Sequence, residues 1–163
     1  MKTKDKIVKI SKICYKITKS IYYASYILCL IFIVLAIALS STNAIKTFSV
    51  AETACLFGTL ALYSAISVGL FWNISSIFKT IKQEKSPFSE KVSCYLKGSA
   101  IFVLLISTIP ALIGSTILRI IYPSTELVFP ISLGGIISAV TMFVIGIFFN
   151  YGKELQKNED ETL

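Results

Sequence analysis

The chain has 163 residues, of which 55% are hydrophobic and only 15% charged, with a formal net charge of +7 and no histidine. Its mean hydropathy of +0.76 leaves too little polar side chain to cover the surface of a water-soluble domain of this size. Without histidine, and with Cys14, Cys29, Cys55 and Cys94 at no paired or metal-ligand spacing, disulfide frameworks, zinc sites and histidine-based catalysis are all disfavoured, so no cofactor is expected.

The first 19 residues carry seven lysines and one acid, Asp5. On a helical wheel Ile7, Ile10, Ile13, Cys14 and Ile17 share one face, with Lys9, Lys12, Lys16 and Lys19 opposite. This pattern suits an amphipathic interfacial helix, its isoleucines among acyl chains and its four lysines binding an anionic lipid leaflet. The competing reading is a disordered basic arm that serves only as a topology signal. A cleaved signal peptide is rejected, because the following apolar run of about 20 residues is too long for its hydrophobic core.

Four uncharged or nearly uncharged runs follow, at about 21–41, 54–78, 98–122 and 127–150. Each is long enough to cross a hydrocarbon layer of about 30 Å as a helix. Tyr22, Tyr23 and Tyr26 open the first span, and Phe71, Trp72 and Phe78 close the second, as aromatic belts do at membrane interfaces. Pro110 falls near the middle of the third span, and Pro130 is expected in the first turn of the fourth, where a missing N–H is tolerated. The predicted fold is therefore all-α, a polytopic four-transmembrane-helix bundle preceded by the amphipathic arm.

Charge placement gives the orientation. The arm carries seven lysines, the connector 79–97 five and the tail 151–163 two, whereas the other side has only Lys46 and Arg119. By the positive-inside rule both termini and the connector are expected in the cytoplasm of a cell membrane. No carboxylate lies within a span, which disfavours a proton-coupled exporter; an enzyme is not expected. Arg119 is expected to snorkel to the interface or to pair with Glu126 across the turn, with an anion or ligand site as the alternative.

In the fourth span Gly134, Gly135, Ser138 and Ala139 form two small-xxx-small pairs for helix packing, either within the chain or in a homo-oligomer. In the connector, the second helix is expected to run out of the membrane and turn at Ser86-Pro87-Phe88, with Phe88 tucked back against the bundle and Ser89 starting the next helix. The connector's net +3 and the tail's −2 invite contact between them.

The stretch IFKTIKQEKSPFSEKVSCYLK and the ending FNYGKELQKNEDETL resemble the small bacterial four-span membrane proteins known as domain of unknown function two-nine-seven-five. That family often has Gly shortly before the Pro-Phe pair, where this chain has Lys85 and Ser86. The resemblance implies no activity, but it implies a small cytoplasmic helix-turn-helix regulator as partner; direct nucleic-acid binding by the membrane protein itself is not expected. Pro87, Phe88, Gly152, Leu155, Gln156, Asp160, Glu161 and Leu163 are the candidate partner-binding residues. The alternative is an accessory subunit of a membrane transporter, or an immunity protein against membrane-active peptides.

Overall fold

A computed structural model describes residues 2–41, 48–84, 86–121, 123 and 129–161. It consists of four long helices: α1 (Lys2–Ser41), α2 (Phe48–Glu84), α3 (Glu90–Ile121) and α4 (Leu133–Glu161). All four are long and apolar enough to cross a membrane, and the chain is a multi-pass membrane protein with an all-α bundle fold. Each helix packs on its neighbours in sequence: α1 on α2, α2 on α3, and α3 on α4. Among the described residues α3 is the most enclosed, burying Val92, Ser99, Ala100, Ser107, Pro110, Ala111 and Leu118.

The arm and the first span form one uninterrupted helix of 40 residues, about 60 Å long. Nothing in Lys2–Ser41 breaks it, since the stretch has neither proline nor glycine. Its isoleucine face is divided. Ile7 packs with the other helices and Ser11 is buried, whereas Ile10, Ile13 and Ile17 stay exposed. The seam that α1 turns toward the bundle is largely polar and small. Ser11 and Thr18 fit there by returning their hydroxyls to the carbonyls of Ile7 and Cys14, each at 2.8 Å, so that no polar group is left unpaired.

At the lysine-rich end all four helices meet. Ile77 and Ile81 of α2 and Val92 of α3 form a buried cluster, against which Ile7 of α1, Tyr95 and Leu96 of α3, and Phe149 of α4 pack. Further along, Tyr22 lies 5.7 Å from Trp72, three residues past Lys19, as a belt residue should. Close approach of α2 and α3 depends on small residues: a Cβ at Gly98 would lie 2.9 Å from Asn73 Nδ2, and one at Gly114 2.6 Å from Thr59 Oγ1.

The fourth helix starts at Leu133, not near 127, and Pro130 lies outside it. Ahead of it, 129–132 is non-helical and runs along α3. The Phe129 N–H donates to Ser115 Oγ at 2.9 Å, and the Ser132 N–H donates to the Ser107 carbonyl at 3.2 Å. Ser132 then caps α4, its Oγ accepting the Gly135 N–H at 3.1 Å. Ser107 is ten residues from Lys97 and twelve from Arg119, so the cap lies near the middle of α3's uncharged stretch. Sliding the membrane to enclose all of α4 would draw Lys79, Lys91 and Lys97 into hydrocarbon, which is costly for each. The fourth crossing is therefore composite: an extended piece over one part of the depth, and α4 from Leu133 to about Gly146 over the rest.

The small-residue stripe of α4 divides in the same way. Gly135 faces Ser107 so closely that any Cβ would collide with the Ser107 hydroxyl, and Ala139 is buried. Gly134 has open space around it and Ser138 is exposed, its hydroxyl donating to the Gly134 carbonyl at 2.8 Å. Gly135→Leu should therefore destabilise the purified protein by about 1–3 kcal/mol, as overpacking does, and Gly134→Leu should not. Thermal unfolding of both variants in one detergent checks this, with a lowered midpoint expected for Gly135→Leu alone.

Candidate functional site

Outside the uncharged stretches, the most structured surface is at the lysine-rich end, where the 86–89 turn meets α4. Ser86 and Pro87 stop α2 from continuing, because proline lacks an N–H and disfavours a helical residue before it. The chain reverses, and Ser89 restarts a helix: its Oγ accepts the Val92 N–H at 3.3 Å, and its carbonyl accepts the Ser93 N–H at 3.0 Å. The reversal aims Phe88 at α4, where its ring lies 5.3 Å from that of Phe149. Gly152 makes room for it, since a Cβ there would come within 2.6 Å of Phe88 Cδ1.

Two polar contacts fasten the same junction. The buried Ser93 hydroxyl donates to the Gly146 carbonyl at 2.6 Å, joining α3 to α4. Lys153 Nζ lies 2.9 Å from Glu90 Oε2, and Lys91 pairs more loosely with Glu84 at 3.7 Å. Connector and tail thus do touch, with the polarity opposite to that of their net charges: the described ion pair joins a tail lysine to a connector glutamate. The Lys153 hydrogen bond, with its charge, holds the Glu90 carboxyl below its ordinary range. Because this folded-state value is lowered, the contact is complete at neutral pH and is lost only as the pH falls through it. Both groups are exposed, so its energetic weight is small.

Glu84, Phe88, Ser89, Glu90, Lys91 and Lys153 surround an open depression of about 580 Å³. It contains charges of both signs around one aromatic ring, a surface suited to protein contact. Next to it α4 projects past Lys97, and there Phe148, Tyr151 and Leu155 are exposed by 66%, 60% and 69%. Their spacing of three and four residues makes one apolar stripe.

The candidate partner residues are therefore not equivalent. Phe88 and Gly152 are spent on each other, Pro87 sets the turn, and Leu155 points outward. The side chains of Gln156, Asp160 and Glu161, all of Leu163, and the proposed Arg119–Glu126 pair lie outside the described residues. Phe148 and Tyr151 were missed because they sit inside the 127–150 apolar run or at its edge. Only the register of α4 against Lys97 takes them out of it. Of the candidate lipid-binding lysines, Lys9, Lys12 and Lys16 are exposed, and Lys19 Nζ stands 5.6 Å and 6.0 Å from the ring centres of Tyr15 and Tyr23.

No family model, no curated protein and no solved structure matches this chain.

Gly152→Val should expel the Phe88 ring and loosen the turn. Limited trypsin digestion of the purified protein is expected to cut at Lys91 several-fold faster than in the parent. Lys153→Gln, which removes the exposed ion pair without adding a trypsin site, should leave the parent's rate of cleavage at Lys91 unchanged.

Proposed function

We propose that this is a non-enzymatic protein of a bacterial cell membrane, with both termini and the connector in the cytoplasm, that captures a small cytoplasmic regulator at its lysine-rich end. The observation that carries this reading is the apolar stripe Phe148, Tyr151 and Leu155, exposed on a helix that projects beyond the level of Lys97. In water such a stripe is unfavourable unless covered, and helix stripes of this spacing dock in grooves of partner proteins. The turn at Phe88, fixed to Gly152, gives the stripe a rigid neighbour, and the mixed charges of the depression add specificity at its edge. The family resemblance supplies the class of partner, a helix-turn-helix protein that itself binds the DNA. The arm continues the first span as one helix and carries Lys9, Lys12 and Lys16 exposed beyond Lys19, charges suited to attraction by an anionic inner leaflet.

A second reading is favoured by one observation. Gly134 and Ser138 face outward within the membrane, where small residues allow close approach of another helix, from a second copy or from a transporter or other membrane protein that this chain serves or protects.

Two outcomes are expected. Cys94, exposed at the lysine-rich end, should react with a membrane-impermeant maleimide in inverted vesicles and stay unreacted in intact cells, in a variant whose other three cysteines are serine. Reaction in intact cells would reverse the orientation. Tyr151→Glu with Leu155→Glu should lower capture of the small DNA-binding protein in a membrane pull-down by at least about tenfold, the scale of losing one buried anchor. Undiminished capture would remove the stripe from the interface.

A further inference from the structure

At the end opposite the lysines, the extended segment ahead of α4 and the facing part of α3 enclose a cleft of about 380 Å³. Ala111, Leu112, Phe129 and Ile131 make its walls apolar, and Ser115, Thr116 and Arg119 lie toward one end. Arg119 is exposed and has no ion-pair or hydrogen-bond partner among the described residues. It is also the one arginine of the chain, placed at the end of a helix otherwise uncharged from Gly98 onward. Thus an apolar trough about two turns of helix long, from Ala111 to Arg119, ends in a single cation.

One side of the cleft is the non-helical 129–131 segment. Non-helical chain at membrane depth persists where it is buried in protein or lines a cavity that water can fill. Phe129 and Ser132 are served by Ser115 and Ser107, but Pro130 and Ile131 remain exposed on the cleft side of the segment. A ligand that fits must carry an anion at one end for Arg119 and an apolar chain at the other for Leu112 and Ile131. It must also reach the cleft from within the membrane. Phosphate, the anion that every phospholipid carries, can offer a guanidinium two oxygens for its paired N–H groups.

We propose that this cleft binds one membrane phospholipid, its phosphodiester held by Arg119 and one acyl chain lying along the 129–131 segment. A snorkelling arginine would need no cleft, and an apolar cleft filled by bulk lipid would need no arginine. The two together select a phosphate-bearing amphiphile. The lysine arm plays no part in this site, since it is at the opposite end of α1 from the cleft.

The test uses the full-length protein in detergent with a photoreactive residue in place of Ile131, so that lipid gathered by the lysines is not counted. Irradiation with added phosphatidylglycerol should yield a one-to-one crosslinked adduct. Diacylglycerol, which has the chains but no phosphate, should yield none. Arg119→Gln should lower the adduct roughly tenfold, the loss expected for one charge-assisted contact, and Arg119→Lys should restore part of it. Should Arg119→Gln fail to fold, Leu112→Trp carries the test, because it fills the trough and keeps the cation; it should lower the adduct similarly. Equal yields from the parent and a folded Arg119→Gln or Leu112→Trp variant, or equal capture of diacylglycerol and phosphatidylglycerol, would overturn the proposal.

Discussion

Lysines cannot be moved into hydrocarbon without a cost of several kcal/mol each, and this one constraint sets the register of the bundle. Lys19, Lys79 and Lys97 are the charges at which the uncharged stretches of α1, α2 and α3 end toward the lysine-rich end. Lys97 lies against Gly146 of α4, and α4 begins where Ser132 meets Ser107, near the middle of α3. Everything distinctive follows: an extended segment at membrane depth, a helix that projects at the lysine-rich end, and apolar groups exposed on that projection. The same register brings Gly152 opposite Phe88 and Lys153 opposite Glu90.

Packing within the membrane has to be achieved without a hydrophobic drive, since lipid is as apolar as leucine. The contacts are accordingly small and polar. Ser107 presses on Gly135, and Asn73 fills the space above Gly98. Hydroxyls elsewhere return to their own helix, as Thr59 does to Cys55 at 2.9 Å and Ser64 to Leu60 at 2.8 Å. Helices can thereby slide close without leaving donors bare. Where such contacts end, on Gly134 and Ser138, the surface is open to lipid or to other chains.

The helices were legible in the sequence because long uncharged runs have few other physical outcomes, and the turn was legible because Pro87 and Ser89 leave little choice. Phe88 folding back on α4 could be anticipated for the same reason. The late start of α4 could not. Leu127, Val128, Phe129 and Ile131 are as apolar as the helix that follows them, and only the pairing of Ser132 with Ser107 shows that they precede it. The sign of the described contact between tail and connector could not be read from net charges, since it rests on one lysine, Lys153, placed beside Glu90. The isoleucines of the arm read as one face because a wheel gives angles and no neighbours. Ile7 belongs to the four-helix cluster and Ile10 does not.

Depth is the most direct test of this account. Spin labels placed singly at Ser132, Phe148 and Leu155 in lipid vesicles, with relaxation by oxygen compared with a water-soluble nickel chelate, report where each lies. The register described here predicts that residue 132 is near the bilayer centre and accessible to oxygen, while 155 is in water and 148 close to the interface. A label at 155 within the hydrocarbon together with one at 132 in water would mean that α4 crosses the membrane as a complete helix, and the composite crossing would be wrong.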